Sequence, residues 1–129
     1  MSGRNINLTP AEWGVMECLW ECSPLTGREV TELMRERCSW NRSTTLTLLG
    51  RMEAKGAVAG DFDAGKKSFY PLASREDVAL QETEDFLGRV YKGSLSLLVS
   101  SLTRKQSLSQ KEIDELYAIL KEIEANRDA

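Results

Sequence analysis

Histidine is absent from the 129 residues. That removes Ser-His-Asp and Cys-His catalysis, the commonest general base and the commonest zinc ligand at once. Cysteine is scarce and odd in number, with only Cys18, Cys22 and Cys38. No disulfide framework can be built from these, which fits a reducing compartment. Cys18 and Cys22 stand four apart on one helix face and read as small buried hydrophobes, ahead of a metal or redox pair. A closed thiolate site would want a fourth ligand, and neither a second cysteine pair nor a histidine exists to supply it. No metal and no cofactor are expected. Long apolar runs are missing as well, the longest being of the order of Leu97-Leu98-Val99, so membrane insertion is excluded. Met1 to Asn5 leads into polar chain without an apolar h-region, and a cytoplasmic protein is expected.

A general excess of positive charge is lacking too, the net charge being −3. Its distribution is uneven. Residues 1–32 carry two basic and five acidic groups, residues 33–67 seven basic and four acidic, and residues 68–129 eight basic and eleven acidic. A basic block between two acidic ones is a local footprint that the whole-chain balance hides. By itself it reads first as a solvated helix face. Hydrophobic residues at 41% and charged residues at 29% describe an ordinary folded chain.

Helix signals come in order. Thr9-Pro10-Ala11-Glu12 is a capping box with proline at the first helical position, followed by Trp13, Met16, Leu19, Trp20 and Cys22 at helical spacing. Thr26-Gly27-Arg28-Glu29 is a second box and opens a short helix over about 27–37, with Val30, Leu33 and Met34 inward. Asn41 or Ser43 can cap a third, running to about Lys55 and stopped by Gly56, with Thr45, Leu48, Leu49 and Met52 inward. Ala57 to Phe62, the turn Asp63-Ala64-Gly65, and Lys66 to Tyr70 read as a β-hairpin that Pro71 ends. From Ser74 a helical segment extends to about Leu102, roughly 42 Å if unbroken, which Gly88 and Gly93 weaken and can bend or break. Ser109-Gln110-Lys111-Glu112 opens a last helix. Leu95, Leu98, Val99 and Leu102, then Ile113, Leu116, Ile119, Leu120 and Ile123, form apolar stripes that the compact part cannot cover alone, so a partner chain is expected.

This layout predicts a mainly α protein with a small β-hairpin. A winged helix-turn-helix head over 1–73 is followed by a helical dimerisation region over 74–129. A major groove about 12 Å wide admits one helix, here 43–55. Asn41, Arg42, Ser43, Thr44 and Thr47 bring short polar groups to its N-terminal part, and Arg51, Lys55, Lys66 and Lys67 flank it as phosphate contacts. Capping explains one or two of these residues. It does not explain four hydroxyls, Ser43, Thr44, Thr45 and Thr47, in a helix where their propensity is poor.

The same residues resemble the penicillinase-repressor and methicillin-resistance-repressor family, which also includes copper-responsive repressors. The similarity runs through Leu8 to Trp13, Val15-Met16, Leu19-Trp20, Thr26 to Val30, Trp40-Asn41, Thr44, Thr47 to Leu49, Arg51, Lys55-Gly56 and Tyr70 to Leu72. It continues through Phe86-Leu87, Gly93-Ser94, Leu97 to Val99 and Leu108 to Leu116. The resemblance implies a homodimeric repressor on double-stranded palindromic operator DNA. Release would follow proteolysis linked to a membrane-bound sensor protease, or metal binding by C-terminal cysteines in the copper branch. No cysteine follows Ala118, so the copper-type motif is missing. Ser101-Leu102 occupies the site that reads Asn-Phe in the resistance branch. Leu46 stands where the family usually has a basic residue on the DNA-facing side, a change expected to alter operator choice or weaken binding.

Two other classes compete. A winged-helix regulator with a small ligand at its dimer interface would show a ligand-dependent melting temperature. A helical protein-interaction module would lack salt-sensitive DNA binding. An enzyme is not expected, because carboxylates such as Glu84-Asp85 and Glu122 with Glu124 lie on solvated helix faces.

Overall fold

The computed structural model describes residues 6–127, in the order α1 Pro10–Glu21, β1 Leu25–Thr26, α2 Gly27–Cys38, α3 Arg42–Ala54, β2 Val58–Asp63, β3 Lys66–Pro71, α4 Arg75–Tyr91, α5 Leu95–Leu102 and α6 Gln110–Arg127. The chain divides into two compact units, Met1–Thr83 and Glu84–Ala129, and α4 contributes residues to both.

In the first unit the capping boxes close in both directions. The Glu12 amide donates to the Thr9 hydroxyl at 3.1 Å and the Thr9 amide to the Glu12 carboxylate at 2.9 Å. Thr26 and Glu29 repeat the exchange at 3.1 and 2.8 Å. Each box satisfies amides that a helix start otherwise leaves open. At the start of α3 the Thr44 amide donates to Asn41 Oδ1 at 2.8 Å, so the cap is Asn41 and not Ser43. Val15, Met16, Leu19, Val30, Met34, Leu49, Met52, Val58 and Phe69 meet in one core. Each such side chain contributes about 1.5–3 kcal/mol by leaving water.

The hairpin pairs from Val58↔Pro71 to Asp63↔Lys66, and its two-residue turn has positive φ at both Ala64 (52°) and Gly65 (79°). That geometry matches the right-handed twist of the flanking strands. β3 ends at Pro71, as expected, with the proline itself counted as the strand's last residue, a position where its missing N–H is tolerated. A third strand, β1, adds to the other edge of β3 with Leu25↔Phe69 and Thr26↔Ser68. Two residues carry no alternation, so nothing in the sequence pattern announced it.

The start of α4 is fastened to α1 within this unit. Arg75 donates to both oxygens of Glu17 at 2.9 and 3.0 Å while its guanidinium lies 5.8 Å from the Trp13 ring centre. Trp20 Nε1 donates to the Ala73 carbonyl at 2.9 Å, and Val78 is buried.

In the second unit the helix that begins at Arg75 runs through Gly88 unbroken and stops at Tyr91, where Lys92 (φ 54°) and Gly93 (φ 83°) turn the chain. The Gly93 amide donates to the Leu87 carbonyl at 3.0 Å, a left-handed helix end of the kind glycine favours. Ser94 caps α5, and Ser109 with Glu112 caps α6. Phe86 meets Tyr91 edge-to-face at 5.9 Å, and the Tyr91 hydroxyl donates to Ser101 Oγ at 3.1 Å. No residue of α5 or α6 is buried.

Candidate nucleic-acid interface

α3 has two faces. Thr45, Leu48, Leu49 and Met52 are buried against the core, while Asn41, Arg42, Ser43, Thr44, Leu46, Thr47 and Arg51 are exposed. The 3.6-residue period explains the split, since 45, 48, 49 and 52 fall on one stripe. Of the four hydroxyls in this helix, Thr45 is structural and donates to the Asn41 carbonyl at 3.3 Å. Ser43, Thr44 and Thr47 face solvent. Leu46 is 36% exposed and its Cδ2 lies 3.3 Å from where a Cβ on Gly27 would stand, so it partly covers the start of α2.

The flanking cations differ in freedom. Lys55 donates to Glu12 Oε1 at 2.8 Å and to the Asn7 carbonyl at 2.7 Å, and Glu12 is fully buried. Burial pushes the Glu12 carboxyl up, but the Lys55 ammonium and the Thr9 amide and hydroxyl outweigh it and hold the group below its ordinary value. Lys67 donates to Glu53 at 2.8 Å and lies over the Phe69 and Phe62 rings at 5.3 and 5.8 Å. Arg42, Arg51 and Lys66 make no ion pair among the described residues and are exposed. Beside them, Arg28 and Arg35 on α2 line a cleft with Arg42. Their seven-residue spacing puts them on one helix face and was the available signal.

The cysteines separate, contrary to the shared buried face expected for Cys18 and Cys22. Cys18 is buried with its thiol 3.6 Å from Met34 sulfur, whereas Cys22 is the C-cap of α1 in extended backbone and is exposed, as is Cys38. Burial pushes the Cys18 thiol up, which suits a small hydrophobe and opposes thiolate chemistry. No cluster of three or more cysteine or carboxylate side chains able to hold a metal occurs among the described residues.

Leu95, Leu97, Val99, Leu102, Leu116, Ile119, Leu120 and Ile123 are exposed in the second unit, and Leu98 and Ile113 are half-buried. No described helix is long and apolar enough to cross a membrane.

Three helices, a hairpin wing and an exposed polar face on the third helix define a winged-helix DNA-binding head. The comparisons narrow this class. The penicillinase repressor family profile matches residues 8–122. The methicillin resistance regulatory protein MecI of Staphylococcus aureus (strain N315) is 30% identical over 120 residues, 93% of this chain and 98% of that protein. The penicillinase repressor of Bacillus licheniformis is 30% identical over 115 residues, 89% of this chain and 90% of that protein. A solution structure of the Bacillus licheniformis BlaI monomeric form in complex with the blaP half-operator covers 56% of this chain and 88% of its own, with TM-score 0.51 and 25% identity. A MarR family protein from Bacillus stearothermophilus shares the fold over 96% of this chain and 78% of its own, with TM-score 0.52 and 19% identity. The chain belongs to the penicillinase repressor family, a family of DNA-binding transcriptional repressors and not of enzymes.

Proposed function

We propose that this repressor acts in the cytoplasm as a homodimer on palindromic operator DNA, reading each half-site with α3 in the major groove. The observation that carries the reading is the exposed polar face of α3, Asn41 to Thr47, mounted rigidly on the buried stripe of Thr45, Leu48, Leu49 and Met52. Thr44 and Thr47 meet base edges, and Arg42, Arg51 and Lys66 meet phosphates. Leu46 offers an apolar surface suited to a thymine methyl. Lys67 stiffens the wing through Glu53 and contributes charge near the backbone. Lys55 anchors the end of α3 through Glu12, and its exposed side chain adds positive charge beside the α3 face.

Leu95, Leu98, Val99, Leu102, Ile113, Leu116 and Leu120 form the dimer contact, which the exposure of all but the half-buried Leu98 and Ile113 in the single chain favours. Pairing two heads makes binding of the second head intramolecular. A signal that separates or cuts this region, such as a membrane-bound sensor protease acting near the exposed Ser101-Leu102 end of α5, releases DNA without altering the reading face.

Selection of duplexes from a randomised pool tests the function. The expected product is an inverted repeat whose half-site centres lie about one helical turn, or a multiple of it, apart. A protein whose affinity for the recovered sequence equals its affinity for random duplex is not a sequence reader.

A further inference from the structure

We propose that the cleft between α2 and the first turn of α3 is an anion site in which Arg28 and Arg35 of α2 join Arg42 to grip a backbone phosphate of the duplex. This rests on the duplex-binding function above. The cleft holds about 340 Å³ and is lined by Arg28, Thr31, Glu32, Arg35 and Arg42. Positions 28, 31, 32 and 35 form one face of α2, and Arg42 arrives from the start of α3. Three arginines from two elements therefore line one volume, with Glu32 as the only acidic residue among its lining.

The carboxylate neutralises little. Arg28 Nε donates to Glu32 at 3.4 Å, with side-chain exposures of 87% and 56%, a long and solvated pair that opens readily. Arg35 and Arg42 make no ion pair among the described residues. The Thr31 hydroxyl is engaged with the Gly27 carbonyl at 2.7 Å, which leaves donation into the cleft to the guanidiniums. Gathering like charges in one place opposes folding, and an anion in the cleft removes that opposition. The planar guanidinium fork suits paired phosphate oxygens. Arg42 is followed in the chain by exposed Ser43 and Thr44, so a duplex seated on those residues brings a sugar-phosphate strand to the cleft. Free inorganic phosphate shares this chemistry and is the alternative source of the anion.

The test uses the full-length double variant Arg28→Gln with Arg35→Gln. Its binding to a random-sequence duplex is measured by fluorescence anisotropy over a range of salt. The slope of log affinity against log salt falls by about 1, the signature of one lost phosphate contact. Affinity falls by the same factor, about 10-fold, on random and on selected duplex, since a phosphate carries no base identity. Arg28→Lys with Arg35→Lys restores most of the slope. Both side chains are exposed and removing two like charges relieves repulsion, so a melting temperature at or above the parent's accompanies the loss. A variant that keeps the parent's slope and affinity overturns the proposal while the function stands. Millimolar inorganic phosphate that raises the parent's melting temperature but not the variant's, with duplex binding unchanged, makes this a free-anion site and overturns the DNA assignment. A parent that binds no duplex at all refutes the function itself.

Discussion

Thr44 and Thr47 are three apart on α3 and exposed, while Thr45 between them is buried, so the base-reading role can be tested without touching the core. Thr44→Ala or Thr47→Ala weakens binding to the selected operator by about 1–3 kcal/mol and binding to random duplex far less. Equal losses on both would assign these hydroxyls to backbone contact. Glu12 gives a different kind of prediction. Its folded carboxyl titrates below the ordinary value of 4.5, so the stability it supplies is complete above that value and is lost as pH falls through the lowered one. Glu12→Gln reduces stability at neutral pH by about 3 kcal/mol, the low end for a broken buried pair because Lys55 keeps 30% side-chain exposure. Denaturant unfolding from pH 7 down to pH 3 shows the variant and the parent converging on the acid side. A constant gap across that range would mean that the pair does not drive the difference.

At the scale of elements, the hairpin turn offers a site where the sequence is not optimal. Ala64 holds a φ of 52°, a conformation that disfavours most L-residues and that asparagine tolerates better. Ala64→Asn raises stability by about 0.5–1 kcal/mol, read from the chemical-denaturation midpoint. The helix starts at Thr9, Thr26 and Ser109 were legible because a cap and its partner lie within three residues, while the third was narrowed only to Asn41 or Ser43, of which Asn41 is the cap. The buried stripe of α3 was legible from its period, and with it the exposed polar face opposite. What stayed hidden was long-range. Lys55 reads as one more exposed cation beside α3, yet it is tied to Glu12, 43 positions earlier. Lys67 meets Glu53 across 14 positions and Arg75 meets Glu17 across 58, and β1 exists only because β3 offers it an edge. Cys22 follows the helical spacing of Cys18, but the helix ends there and turns it outward. Gly88 and Gly93 look alike in sequence. Only the second has a positive φ, and only there does the chain leave the helix.

For the whole molecule, the division between Thr83 and Glu84 lies ten residues beyond the boundary at 73 read from sequence. Val78 and the Arg75–Glu17 pair account for the difference, since both bind the first turns of α4 to the head. A fragment 1–83 therefore melts at a higher temperature than a fragment 1–73, because the shorter one uncovers the Val78 site and frees Glu17. Fragment 1–83 sediments as a monomer, keeps its preference for a half-site, and loses about 10²–10⁴ in affinity for the full operator when the tether is gone. A fragment that matches the intact chain on the full operator would place the dimer contact inside the head. The three tryptophans, Trp13, Trp20 and Trp40, all lie in the first 83 residues, and the second unit carries Tyr91 and Tyr117 but no indole. Indole emission is therefore a private channel for the head, blind to the fate of α5 and α6, whereas far-ultraviolet circular dichroism sums both units. Dilution that separates the two chains of the proposed dimer and loosens their C-terminal helices would move the dichroism and leave the emission spectrum in place, so one cuvette can time the two events separately.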